Sequence, residues 1–495
     1  MTNRERISGV DTAWLRMDEP TNLMMIVSVI MFDRKVAERD VRRLIERRFL
    51  GYRRFRQRAV QDAAGAWWED AADFDIANHV RRVSLPGAAG KRELQALVSR
   101  LASTPLDPSR PLWEFDLVDD YEGGSALILR IHHCYADGMA LIQVVLSLTH
   151  ETAAGSLALA PKPVEASSGG RGEADFWQQV LKPVAGALGG AAQLGRGLLE
   201  QGRSLASQPQ LAGEAAQEAA RKGVGFAGEI VHLLTMGSDA ATRFKGPLGT
   251  AKRAAWAEPL PLEEVKAVGK ALGCSINDVL LSMAAGALRD YLADKGDAVD
   301  GLEIRAIVPV NLRPKASDMS GLGNQFGLVF LDLPVGMEHP LERLYEVRRR
   351  MLQLKGSYQP VIALGLLSAV GYGPRALQEM VKGLLSASAS AVMTNVPGPQ
   401  APLYFAGKRI RELEFWVPQS GGIGMGVSIL SYDGRIHFGV ITDAGLVPDP
   451  DRIVERFGDE FDKLMWITLM SPWQGDTDAQ PPSSKKKVPK RFRNL

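Results

Sequence analysis

The chain has 495 residues, 45% of them hydrophobic and 23% charged, with 59 Lys+Arg against 57 Asp+Glu. This is an ordinary globular composition with material for two or three domains, and it excludes collagen-like, wholly disordered and multi-span membrane classes. A net charge of +2 gives no global field for nucleic acid, so any basic surface must be local. Two cysteines, Cys134 and Cys274, stand far apart with no CxxC, which argues against a disulfide framework or a Cys-based zinc site and suits a reducing cytosol. Met1–Arg6 is polar and charged, with no secretory h-region, and the apolar stretch near Val361–Tyr372 falls short of a membrane span.

In chain order, Met24–Phe32 is an apolar, β-branched run suited to a buried strand, and Arg39–Phe49 has the pattern of a basic amphipathic helix. Ala126–Ile131, interrupted only by Arg130, predicts a short buried strand, and Gly138–Leu148 a helix. From about Ala153 to Lys252, Ala, Gly, Gln and Ser dominate, with Ser167-Ser168-Gly169-Gly170 after Pro161 and Pro163, which reads as a linker followed by weakly patterned helices. Globular patterning resumes with helices over Leu262–Ala271 and Asn277–Leu292, the second N-capped by Ser275 with Asp278 in its first turn. Strands are predicted over Ile304–Val310, Leu328–Leu333, Ala389–Met393, Gly426–Ser431 and Ile436–Ile441. Asp433-Gly434 is the hairpin turn between the last two, and a helix follows near Arg452–Met465. The stretch from Gln474 to Leu495 is a tail in which Lys485, Lys486, Lys487, Lys490, Arg491 and Arg493 follow Pro481-Pro482 with no acid among them. The expected division is 1–155, 156–255, 256–473 and 474–495.

There is no GxSxG elbow, no phosphate loop and no HExxH pair, and the run Gly421–Gly426 suits a turn with tight backbone packing. Two of only seven histidines are adjacent, in His132-His133-Cys134-Tyr135-Ala136-Asp137-Gly138. Random placement of that pair with Asp and Gly at those offsets has odds of roughly 5 in 10,000. The pair lies where a strand ends and a helix opens, a place from which side chains reach a cleft, although a satisfied core histidine fits the same position. Alternation sends His132 and His133 to opposite faces, so one can meet a ligand while the other packs. The same alternation argues against a His-His-Asp metal site and against Cys134 as a nucleophile. Arg42, Arg43, Arg47, Arg48, Arg53, Arg54, Arg56 and Arg58 form a belt opposed locally only by Glu46; it is read as a solvated face, with donor phosphates or anionic headgroups as alternatives.

HHxxxDG resembles the signature of chloramphenicol-acetyltransferase-like acyltransferases. The chain more closely resembles the bacterial wax ester synthase/diacylglycerol acyltransferase family. Supporting segments are Asp11…Trp14-Leu15, Pro111-Leu112-Trp113-Glu114, Asn277-Asp278, Val308-Pro309-Val310-Asn311-Leu312-Arg313, Gly323-Asn324 and Asn395-Val396-Pro397-Gly398-Pro399, spanning about residues 8 to 470. Met24-Met25 stands where that family often has Met-His. The resemblance implies an α/β fold of two chloramphenicol-acetyltransferase-like subdomains, each a mixed sheet with helices, and an active-site tunnel between them.

It also implies acyl transfer from acyl-CoA to a long-chain alcohol or diacylglycerol, with acyl-CoA as substrate and no bound cofactor or metal. His133 is the expected general base, with His132 supporting it; an unperturbed imidazole is mostly neutral near pH 7. Asp137 is expected to pair with Arg313, with Arg305 as the alternative, and Gly138 to permit close approach. Oxyanion donors are sought in Ser388, Ser390 and Thr394 before Asn395. A Ser/Ala-rich buried strand fits those residues equally well. Asn277 reads as tunnel lining or as a cap, and Pro111 and Trp113 as structural. Val361–Leu367 suits a tunnel wall, a membrane-facing helix or core. Partners are lipid substrates, with a peripheral membrane or lipid-droplet surface and no nucleic acid, in a cytoplasmic setting. Competing classes are a condensation-type acyltransferase fed by a carrier protein and a non-catalytic lipid-surface protein.

Overall fold

The computed structural model describes residues 4–62, 65–158, 160, 236–312, 326–355, 357, 359–372, 375–419 and 421–470. The expected linker core (161–235) and the basic tail fall outside them, as do Arg313 and Gly323-Asn324. Two mixed sheets dominate. The first has the order Tyr404–Phe405, Lys408–Trp416, Met25–Phe32, Gly124–His132, Trp113–Tyr121, Val80–Val83, all antiparallel except the last pair. The second runs Phe326–Leu333, Ile304–Asn311, Ala391–Pro397, Met425–Tyr432, Arg435–Asp443, Lys252–Trp256, with Ala391–Pro397 parallel to both its neighbours. A small antiparallel sheet of Glu5–Arg6, Gly65–Asp70 and Gln57–Asp62 flanks the first.

The expected strands and helices are present with ends shifted by a few residues. The Ile276–Asp294 helix begins with a reciprocal cap, Ser275 Oγ accepting from Asp278 N–H while Asp278 accepts from Ser275 N–H. Asp433 and Gly434 both take positive φ, 47° and 72°, the conformation a two-residue hairpin loop demands. Gly421 also turns with positive φ, and a Cβ on Gly426 would lie 2.2 Å from Gln419 Nε2, so the glycine run does serve a tightly packed turn. Arg130 is accommodated in its buried strand by pairing with Glu114 and donating to Thr104 O (2.8 Å) and Leu101 O (3.2 Å).

The stretch 256–473 is not confined to one sheet. Lys408–Trp416 leaves the C-terminal half and pairs with Met25–Phe32, fastening the two lobes together. Further ties cross the same junction. Asn22 Nδ2 donates to Gly421 O and Ile423 O, Lys252 Nζ donates to Thr21 O (2.6 Å) and pairs with buried Asp443 (3.1 Å), and Lys382 pairs with Glu19. Among the described residues no single helix is long and apolar enough to cross a membrane. The Leu262–Ala271 and Ile276–Asp294 helices reach that length together but are bent by 99° and contribute to the C-terminal core. The Gln359–Tyr372 helix packs on the Gly9–Met17 helix and the Phe326–Leu333 strand and buries Ala363, Leu364 and Leu367, a placement that suits both the core and the tunnel-wall readings of that apolar run.

Candidate active site

The site is built where the Gly124–His132 strand runs out. All nine of its residues are buried, and its end is pinned on both sides: His132 N–H donates to Leu112 O (2.9 Å) and His133 N–H to Met24 O (2.7 Å). Trp113 pairs across from Ile131, donates its indole N–H to Phe55 O (2.9 Å) and stacks on His79, the structural role expected of it. Tyr135 O–H donates to Gln57 O and accepts from Leu112 N–H, fixing the turn that follows and the chain beside buried Pro111. Asp137 Oδ1 accepts from Ala140 N–H (2.8 Å) and caps the Gly138–Leu146 helix, which Gly138 opens.

The two imidazoles have different surroundings, His132 ending the strand and His133 opening the turn after it. His132 Nδ1 accepts from the Cys134 backbone N–H at 3.1 Å. A nitrogen that accepts cannot carry the proton, so in the neutral ring the proton is on Nε2. Burial, aided by the neighbouring His133, pulls the His132 pKa down to about 3, so the ring stays neutral. Nε2 has no hydrogen-bond partner among the described residues; Asp18 Oδ2 stands 3.9 Å away. Asp18 Oδ1 accepts from Met24 N–H (2.7 Å), and burial raises this carboxyl above the usual range. Burial also lifts the Cys134 thiol well above its ordinary value, which removes it as a nucleophile.

His133 stacks on Trp14 (ring centroids 4.3 Å apart) and lies 5.7 Å from the Phe326 ring. Trp14 belongs to the first lobe and Phe326 to the second, so this imidazole sits on the seam between them. A cavity of about 590 Å³ opens at His132, lined by Leu15, Leu23, Met25, Leu106 and Leu112 with Asp18 and Arg58.

The remaining expected residues divide. Asn277 and Asn395 meet, Asn395 Nδ2 donating to Asn277 Oδ1 at 2.5 Å, while the cap of that helix is Ser275 and not Asn277. Two of the three oxyanion candidates are committed elsewhere: Ser390 Oγ donates to Asp239 (2.5 Å) and Thr394 Oγ1 to Val427 O (3.3 Å). Ser388 Oγ is buried without a hydrogen-bond partner among the described residues. Arg305 pairs with Asp332 (2.7 Å) and donates to Ser388 O, so the alternative partner for Asp137 is ruled out. The arginine belt is met by acids outside it: Arg54 pairs with Glu5, Arg53 with Asp70 and Arg58 with Glu69, while Arg42 pairs with Glu38 one turn earlier in its own helix. Among the described residues no three His, Cys, Asp or Glu side chains gather as a metal set. Sequence reasoning missed Asp18, which stands beside Glu19 just after the Gly9–Met17 helix with no motif around it.

Comparison with known proteins identifies this architecture of two mixed sheets with a His-His pair at a strand end. The fold is similar to a wax ester synthase/diacylglycerol acyltransferase from Marinobacter aquaeolei (TM-score 0.64, 19% identity, covering 94% of this chain and all of that one). It is also similar to the first condensation domain of the calcium-dependent antibiotic synthetase (TM-score 0.58, 15% identity, covering 94% of this chain and 96% of that one). Two Mycobacterium tuberculosis proteins described as diacylglycerol O-acyltransferases are similar in sequence. One is 27% identical over 481 residues, 93% of this chain and 90% of its own length; the other is 28% identical over 412 residues, 82% and 83%. The wax ester synthase/diacylglycerol acyltransferase catalytic-domain model matches residues 7–280, and the C-terminal domain model of that family matches 322–465. The chain belongs to this family and is an acyltransferase.

Proposed function

We propose that the protein transfers a long-chain acyl group directly from acyl-CoA to the hydroxyl of a fatty alcohol or a 1,2-diacylglycerol, giving wax ester or triacylglycerol, with His133 as general base. Family membership and the diacylglycerol acyltransferase relatives support the reaction class. The observation that favours His133 over its neighbour is the hydrogen bond from Cys134 N–H to His132 Nδ1. His132 is thereby left with its proton on Nε2 and a depressed basicity. His133, on the seam, is the imidazole left to take a proton.

In this scheme the hydroxyl oxygen attacks the thioester carbonyl as its proton passes to His133. The tetrahedral intermediate collapses with cleavage of the C–S bond, and the proton returns to the departing thiolate. A thioester is already activated, so no acyl-enzyme and no resident cofactor is needed. Docking at a membrane or lipid-droplet surface is part of the proposal, supported by exposed Trp466, Leu469 and Met470 near the end of the Asp451–Met470 helix.

The test is CoA release from palmitoyl-CoA without any carrier protein. Release dependent on hexadecanol or dioleoylglycerol, falling by about 10²–10⁴-fold in His133→Ala, is expected. Full ester formation by His133→Ala would overturn the base assignment, and release that needs a carrier-bound donor would overturn the CoA donor.

A further inference from the structure

Strand alternation places Met25, Val27 and Val29 on the same face as His132, and the register sets Met25 directly opposite His132. Two cavities lie on that face. The larger, about 590 Å³, ends at His132; the smaller, about 20 Å³, is lined by Val27, Ala102, Lys252, Trp416 and Ile441. Leu23 and Met25 line both, so they form the partition between them. Met25 is the more deformable part of that wall, an unbranched and fully packed side chain opposite the histidine.

The chemistry of the larger cavity selects its occupant. Its walls are mainly Leu, Met, Val, Ala and Pro, and its one cation, Arg58, is already paired with Glu69 at 3.1 Å. Such a lining suits neither the phosphates nor the polar amides of a CoA moiety, and it suits a linear alkyl chain. A mere packing defect would be apolar throughout, yet His132 and Asp18 both line this space.

We infer that Met25 is the length gate of this subsite: its side chain stops an alkyl chain in the large cavity from extending towards Trp416. The inference rests on the long-chain acyltransferase reading and adds the residue that sets chain length. The chain belongs either to the acyl donor or to the acceptor alcohol, and both present the same methylenes to the gate.

Two assay arms separate these sources: acyl-CoA from C12 to C20 with fixed hexadecanol, and alcohols from C10 to C18 with fixed palmitoyl-CoA. Each methylene newly buried adds about fourfold (~0.8 kcal/mol) in affinity. Met25→Ala is therefore expected to move the kcat/KM optimum of one arm two or more carbons longer, raising the relative rate of the longer chain by roughly tenfold or more. The arm that moves identifies the chain. Met25→Phe, which leaves no void, is expected to shift the same arm shorter. Trp416 provides a readout independent of turnover: octadecanol is expected to change tryptophan emission in Met25→Ala and to do so less in Met25→Ala/Trp416→Phe. Unchanged length profiles on both arms for both variants, with emission in Met25→Ala unresponsive to octadecanol, would overturn the gate while leaving the acyltransferase activity standing. Absence of turnover with an intact, Met25-dependent emission response would instead count against the reaction and not the gate.

Discussion

Arg343, in the C-terminal lobe, and His132, in the N-terminal lobe, are both buried nitrogen donors, and the protein houses them differently. Arg343 pairs with buried Glu460 and donates to Ser282 O (3.2 Å), Met337 O (2.7 Å) and Glu338 O (3.2 Å), so its charge is enclosed by partners. His132 has one ring nitrogen held by the Cys134 backbone N–H, while its Nε2 is buried with no hydrogen-bond partner among the described residues and Asp18 Oδ2 3.9 Å away. Burying a donor without a partner costs free energy, and a fold tolerates that where a ligand supplies the missing acceptor. Arg343 is a satisfied scaffold charge, whereas His132 Nε2 is a buried donor that the described residues leave unsatisfied.

The comparison breaks most sharply at Glu460. Glu460→Ala leaves the Arg343 charge buried and uncompensated, and is expected to cost about 3–5 kcal/mol of stability in denaturant unfolding while kcat per folded molecule is kept. The second test is acid. With His132 held near pKa 3 when folded and about 6.5 when unfolded, the unfolded chain binds the extra proton between those values. The His132 contribution is therefore fully present above about pH 6.5 and is lost as pH falls, at up to about 1.4 kcal/mol per pH unit. Melting scans from pH 7 to 5 should show wild type losing more stability than His132→Asn over that range; parallel curves would contradict the assignment. The smallest effect is at the Asn277–Asn395 contact between helix and strand. A double-mutant cycle with Asn277→Ala and Asn395→Ala should give a coupling of about 0.5–1.5 kcal/mol in stability. A coupling near zero would mean that the two amides face ligand instead of each other.

The same contrast explains what the sequence disclosed. The His-His-x-x-x-Asp-Gly run, the Ser275 cap and the Asp433-Gly434 turn are local patterns, and local sterics and hydrogen bonding determine them. The expectation that His132 and His133 divide their roles followed from strand periodicity alone. Which of them lines the cavity did not, because Leu15, Leu106 and Leu112 come from separate elements. Lys408–Trp416 was not read as a strand: its charged alternation suits a surface segment, and its partner strand lies more than 370 residues earlier. The arginine belt looked unopposed because Glu5, Glu69 and Asp70 reach it only after folding. Ser390 and Thr394 looked free because Asp239 and Val427, their acceptors, are likewise distant in sequence.

The division of labour between the two imidazoles can be read directly by ¹⁵N NMR of histidine-labelled protein, with the His132 signals assigned by their loss in His132→Asn. The structure predicts a neutral His132 with its proton on Nε2, its ring shifts constant from pH 8 down to 5. A His132 ring protonated on Nδ1, or one that gains a second proton near pH 6.5, would contradict the claim that His133 alone is left to accept the hydroxyl proton.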